Sequence, residues 1–179
     1  VYNKPMSQLK VDSIIPRGGL PSGASGGIIQ IKQAIRTSVF SQSLGQGVES
    51  DILVPVTITP QSSSSKILFM VTAEMGLNTT HGRNFTMKRG STSICIGDAD
   101  GSRSRRTSGS SSTNSSSPSP IVMTFLDSPN TTSTLTYGFT IGHNENGTLT
   151  AYLNRTDGDS NSSHLGRYAS CCTVMEVST

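Results

Sequence analysis

The sequence predicts an all-β protein: a two-sheet antiparallel β-sandwich preceded by an extended N-terminal arm. Three observations predict it. Short β-branched runs alternate apolar and polar residues at period two and are separated by Gly, Pro and Ser clusters. Ser and Thr number 31 and 21 of 179 residues, and stretches rich in Ala, Leu, Glu and Lys, which a helical bundle would need, are nearly absent. Charged residues make up only 14%, with a net charge of +3, too little to hold the chain open as a polyelectrolyte. A chain of this length hides roughly 70% of its unfolded surface on folding. With hydrophobic residues at 32% and aromatics at 5%, the core is thin, and more apolar surface is expected to be buried between subunits.

Residues 1–27 contain Pro5, Pro16 and Pro21 and end in GASGG, a composition that supports no lasting regular element. Leu9, Val11, Ile14 and Ile15 nevertheless form a closely spaced apolar strip, so this segment reads as an anchoring arm. The sandwich domain follows over 28–179. IIQIKQAIR opens it as a strand, and DILVPVTIT places Ile52, Val54, Val56 and Ile58 on one face, with Pro55 marking an edge or a bulge. KILFMVTAEM is apolar on both faces from Ile67 to Val71, as in a strand between two buried surfaces. FTMK and SICIG flank Arg89-Gly90-Ser91 as a hairpin. Residues 98–120 are polar and of low complexity and read as a Ser-rich loop insertion.

Strand pattern returns with IVMTFLD. TLTYGFTIG then sets Leu135, Tyr137, Phe139 and Ile141 on one face, and TLTAYLN and ASCCTVMEV complete eight or nine strands. That number, joined by polar loops, fits a jelly roll. The last strand has Cys171, Met175 and Val177 on one face and Tyr168, Cys172 and Val174 on the other. The second set is the candidate subunit interface, the alternative being a central strand covered by loops.

Little in the chain points to catalysis. GxSxG, the P-loop and a Gly-rich dinucleotide fingerprint are all absent, and His81, His143 and His164 fall in expected loops without metal-ligand spacing. Asp98 and Asp100 resemble the opening of a calcium loop, but no Glu closes it, and simple turn chemistry explains Asp-Ala-Asp-Gly equally well. Arg103, Arg105 and Arg106 follow in the same loop, with Arg83, Lys88 and Arg89 on the hairpin. They suit a phosphate, sulfate or acidic-glycan contact, or else a solvated loop whose arginines pair locally. Cys95, Cys171 and Cys172 make a poor disulfide framework and read as small buried apolar groups. Seven Asn-x-Ser/Thr sequons read as chance in so Ser/Thr-rich a chain. A membrane span, a signal peptide and a cofactor are not expected, and the charge is too mild to propose nucleic acid.

LKVDSI, PSGASGG, IIQIKQ and ITPQSSSSKIL, followed in order by MKRGSTSICIGDADGSR, FLDSPNTTSTLTY, AYLNRT and TVMEV, resemble tail-fibre-like virion proteins of marine and cyanobacterial phages. The resemblance spans Leu9 to Val177. It implies a non-enzymatic virion protein, made in the host cytoplasm, with a C1q- or TNF-like jelly roll and a homotrimeric state. The arm would then attach to other virion proteins and the sandwich would project outward. Two functions compete within that frame. One is host-surface attachment, binding glycan or protein through loops carrying Arg83, Arg103, Arg105, Arg106, His143 and Asn144. The other is capsid decoration, with the arm clasping the major capsid protein. A carbohydrate-active enzyme is a third reading, disfavoured because its paired acids would have to come from only eleven acidic residues.

Overall fold

The computed structural model describes residues 27–78, 82–110 and 118–179. The expected arm residues Leu9, Val11, Ile14 and Ile15, and His81, lie outside them. Eleven strands are formed, in chain order β1 (Ile28–Arg36), β2 (Phe40–Gly45), β3 (Leu53–Ile58), β4 (Lys66–Leu77), β5 (Arg83–Arg89), β6 (Thr92–Ile94), β7 (Ser108–Ser110), β8 (Ser119–Asp127), β9 (Leu135–Gly142), β10 (Thr148–Leu153) and β11 (Ser170–Val177).

All pairings are antiparallel and fall into two sheets, one of them curled into a half-barrel. In the first, β4 is the long central strand. It takes β8 along one edge and β11, then β10, end to end along the other, while β1 flanks β11 and β2 flanks β10. In the second the order is β3-β9-β5, with β6 and β7 sharing the far edge of β5. With β2, β7 and β10 set aside, β1-β11-β4-β8 faces β3-β9-β5-β6, the strand order of a jelly-roll-like sandwich.

Alternation builds the core. The inward faces of β4 (Ile67, Phe69, Val71, Ala73, Met75) and β9 (Tyr137, Phe139, Ile141) are fully buried in one cluster. Across the gap the Phe69 and Tyr137 rings meet tilted, with centroids 5.3 Å apart. Pro55 acts as its position suggests: β3 is an edge strand, and its register against β9 shifts between Leu53 and Val56. The hairpin at Gly90-Ser91 forms, with Arg89 opposite Thr92 and Gly90 at a φ of 55°.

The structure differs from the sequence reading at several points. FSQSLG, too polar to stand out, forms β2 because β10 supplies its backbone partners. The loop expected over 98–120 contains β7, and β8 begins at Ser119. β6 and β7 are two halves of one interrupted edge strand, and Thr107 closes the gap between them: its Oγ1 accepts from Met87 N at 2.9 Å and donates to the Ile94 carbonyl at 3.1 Å. All three cysteines are free, but only Cys172 is buried; Cys171 is half-buried and Cys95 exposed. Burial, with the neighbouring Cys171, pushes the Cys172 thiol pKa up to about 12, so it stays a neutral apolar group. The Asn154 sequon is fully buried: its side chain donates to the Arg36 and Ser38 carbonyls at 2.7 and 3.1 Å and accepts from Ser170 at 2.6 Å.

Candidate functional site

The residues between β6 and β7 form a loop tied at its neck, where Gly97 N donates to the Arg106 carbonyl at 3.2 Å and Arg105 Nε donates to the Gly97 carbonyl at 2.7 Å. Its tip is a turn in which Arg103 N donates to the Asp100 carbonyl at 3.2 Å, with Gly101 at positive φ. Beside the loop lies a groove of about 820 Å³ lined by Asp98, Asp100, Arg103, Ser104, Arg105 and Arg106, and floored by Asn84, Ser108 and Gly109. Asn84 lies on the outer face of the β3-β9-β5 sheet, since Phe85 and Met87 beside it alternate inward.

One residue absent from the sequence reading holds this site. Glu49 approaches β9 through an isolated bridge to Gly142, and its carboxylate binds Lys88 Nζ at 2.6 Å, Thr86 Oγ1 at 2.9 Å and Arg106 Nη1. Burial alone would raise its pKa. The hydrogen bonds from Lys88 and Thr86 and the charges of Lys88 and Arg106 outweigh that and hold it below the ordinary carboxylate value. No sequence signal marks Glu49, which lies two residues before Asp51 and more than thirty before β5.

The proposed contact residues fall into two groups. Arg103, Arg105 and Asn144 are exposed and Arg106 half-buried; Asn144 Nδ2 donates to Ser104 Oγ at 2.9 Å, joining the 143–146 loop to the groove. Arg83 and His143 do not belong with them, because both are fully buried. Period two carries each inward: Arg83 shares parity with Phe85 and Met87, and His143 with Tyr137, Phe139 and Ile141. His143 Nε2 donates to the Leu44 carbonyl at 2.7 Å. Asp100 pairs with Arg103, and among the described residues no three His, Cys, Asp or Glu side chains gather as a metal site. The turn runs from Asp100 to Arg103, with Asp98 ahead of it, and carries an exposed ion pair.

The expected interface residues are also redistributed. β11 is a central strand, so Cys172 and Val174 are core, and Tyr168 is half-buried in the loop before it. The opposite face of β11 is the open one. Directly opposed residues share a face, so Ile31, Met175, Leu68 and Leu126 form one apolar row across β1, β11, β4 and β8. Ile35, Cys171, Thr72 and Val122 form a second row, four residues along, with Gln33, Thr173, Met70 and Thr124 between the two. Among the described residues, six of the eight large exposed apolar side chains, Ile28, Ile31, Ile35, Met70, Val122 and Leu126, stand on this face, which makes it a patch and not scatter. Its charges, Lys66 and Glu74, lie at opposite ends along β4. The second buried surface read from KILFMV is therefore a face that none of the described residues covers.

The groove gathers guanidinium donors and carboxylate acceptors without an aromatic platform, an arrangement suited to hydrogen-bonding a polar ligand. A scan of the sequence against protein-family models finds no match, and a search of curated proteins finds none.

Proposed function

We propose that this chain is a non-enzymatic structural module of a bacteriophage virion, a homotrimer displayed on a tail or head fibre for attachment to the host surface. The supporting observation is its two-sidedness. One broad face of the sandwich is apolar and almost free of charge, while the polar groove lies on the opposite sheet. Self-association through the apolar face would leave three copies of the groove pointing outward, where weak contacts to host glycan or protein multiply by avidity. The finer fold assignment, a C1q- or TNF-like jelly roll, belongs to the same proposal. It rests on the strand order and on the resemblance of the sequence blocks. The arm residues Leu9, Val11, Ile14 and Ile15 are then the attachment to other virion proteins.

Gold-labelled antibody on intact particles tests this reading. Label at a tail or projecting fibre is expected. Regular label over the capsid lattice would replace attachment with capsid decoration, and unlabelled particles would remove the virion reading. Arg103→Ala with Arg105→Ala should lower host adsorption severalfold while leaving incorporation into particles unchanged.

A further inference from the structure

Among the described residues, seven buried side-chain nitrogen or oxygen atoms have no hydrogen-bond partner, and three of them fall in one place: Arg83 Nε, Arg83 Nη2 and Ser110 Oγ. Arg83 and Ser110 are directly opposed in the β5–β7 ladder, so their side chains leave the sheet on the same side. That side is the interior, shared with Phe85 and Met87. The remaining guanidinium nitrogen, Nη1, donates to Ser119 Oγ at the start of β8, on the facing sheet.

Among the described residues no carboxylate pairs with this charge. Glu74, next to the Met75 that opposes Ser119, stands on the outer face of β4; Asp127 pairs with Arg89 at the far end of the same strands, and Glu49 pairs with Lys88 and Arg106 on the outer face of the other sheet. The flanking sequences GLNTTHG (76–82) and SGSSSTNSSSPS (108–119) contain no Asp or Glu. Burial alone shifts the Arg83 pKa, downward, and no anion opposes it. A guanidinium does not shed its proton in a protein, so a buried one requires a counter-charge or a full set of acceptors. The edge left open, Nε with Nη2, is a side of the group that grips two oxygens of one oxyanion at once.

We infer that Arg83, Ser110 and Ser119 form an oxyanion site between the sheets, at the β5–β7 end of the sandwich. A carboxylate, sulfate or phosphate group is held by the Nε–Nη2 edge, and the Ser110 hydroxyl donates to a ligand oxygen. The Ser119 hydroxyl fixes the guanidinium plane through Nη1. This site is separate from the outer groove and does not rest on the attachment reading.

The test is thermal unfolding of the full chain titrated with sulfate, phosphate and acetate at constant ionic strength, balanced with sodium chloride. A ligand that binds only the folded state raises Tm along a logarithmic curve set by its dissociation constant, whereas general salt stabilisation is a shallow linear trend. The wild type should show the binding curve, with a gain of several degrees. Arg83→Lys, which keeps the charge and loses the fork, should show the linear trend alone. Ser110→Ala should weaken binding about fivefold to tenfold, and it carries the test if Arg83→Lys does not fold. Parallel titrations with glucuronate and a sulfated monosaccharide separate the sources. Binding tighter than that of the inorganic ions assigns the site to an acidic glycan group, and binding of inorganic ions alone assigns it to a free ion. Identical linear trends for wild type and both variants would overturn the site and leave an ordered water as the partner.

Discussion

Two carboxylates tie distant parts of this chain together, and each does so through partners of known charge. Asp127, at the end of β8, accepts from Arg89 Nη1 at 2.7 Å and from the Tyr137 hydroxyl at 2.8 Å, joining the two sheets at the edge where Phe69 meets Tyr137. Burial, with Asp127 as its acceptor, raises the Tyr137 pKa well above the ordinary phenol value, so the hydroxyl remains a donor throughout the working range. Asp127→Ala leaves that hydroxyl and part of the Arg89 guanidinium without an acceptor. It should cost about 2–3 kcal/mol, a Tm fall of roughly 5–10 °C by calorimetry. Glu49 behaves differently because its folded pKa is depressed. Its contribution is fully present above the ordinary value of 4.5 and is lost as pH falls through the lower folded pKa. Partial exposure of the three side chains, 11–21%, and solvent screening keep that contribution to about 1 kcal/mol. Glu49→Gln should therefore remove about that much at neutral pH and flatten the acid limb of a stability–pH curve. It should also speed amide exchange at Gly97 and Thr107, where the groove loop joins the sheet.

At the scale of single strands, β9 explains how part of the second sheet's outer face is covered. The segment before β3 crosses over it, and two glycines permit the approach. A Cβ on Gly138 would lie 2.3 Å from Ile52 Cγ2 and 2.9 Å from the Leu53 carbonyl oxygen, and one on Gly142 would lie 2.9 Å from the Val48 carbonyl oxygen. Gly138→Ala should destabilise by about 1–3 kcal/mol, and Ile52→Ala in the same chain should recover part of it. Gly97→Ala, which meets nothing within 4 Å, is the control expected to leave denaturant midpoints unchanged. The same strands show how far the sequence could be read. Period two in DILVPVTIT, KILFMV and TLTYGFTIG marks both the strands and the face that enters the core, because one side of each must leave water. It also carried enough information to place Arg83 and His143 inside, had the alternation been continued past the last apolar residue. β2 and β7 were not legible: β2 sends only Phe40 and Leu44 to the core, with Gln42 between them, β7 has no apolar side chain, and each is held by backbone pairing with a strand distant in sequence. Glu49 was invisible for a related reason. Its partners, Lys88 and Arg106, meet it only after the 45–53 segment has crossed β9.

Across the whole molecule, the rows built from Ile31, Met175, Leu68 and Leu126 and from Ile35, Cys171 and Val122 are the counterpart of the thin core. Apolar residues are scarce, yet one face exposes six large ones. Val122, at 73% exposure, and Ile35, at 63%, project furthest and lie at opposite edges of the patch. Under the trimer proposal, Val122→Lys or Ile35→Lys should reduce the mass by light scattering from three times 18.8 kDa to 18.8 kDa at micromolar concentration. The near-ultraviolet circular dichroism should not change, since neither side chain belongs to the core. A wild-type mass of 18.8 kDa would end the trimer proposal. Cys172→Ser should instead lower stability without altering mass, because it removes a buried apolar contact and places a hydroxyl in the core.

The pairing of β1 with β11 also governs how this chain must emerge from the ribosome. Synthesis delivers β1 more than 130 residues before its backbone partner β11, which alone fills the slot between β1 and β4. Until that strand clears the exit tunnel, a nascent chain presents two unpaired strand edges and a core missing Cys172 and Val174. Closure of the first sheet therefore waits for β11, and a stall or premature stop before residue 170 releases a species with open edges, primed to pair with its neighbours on the same polysome.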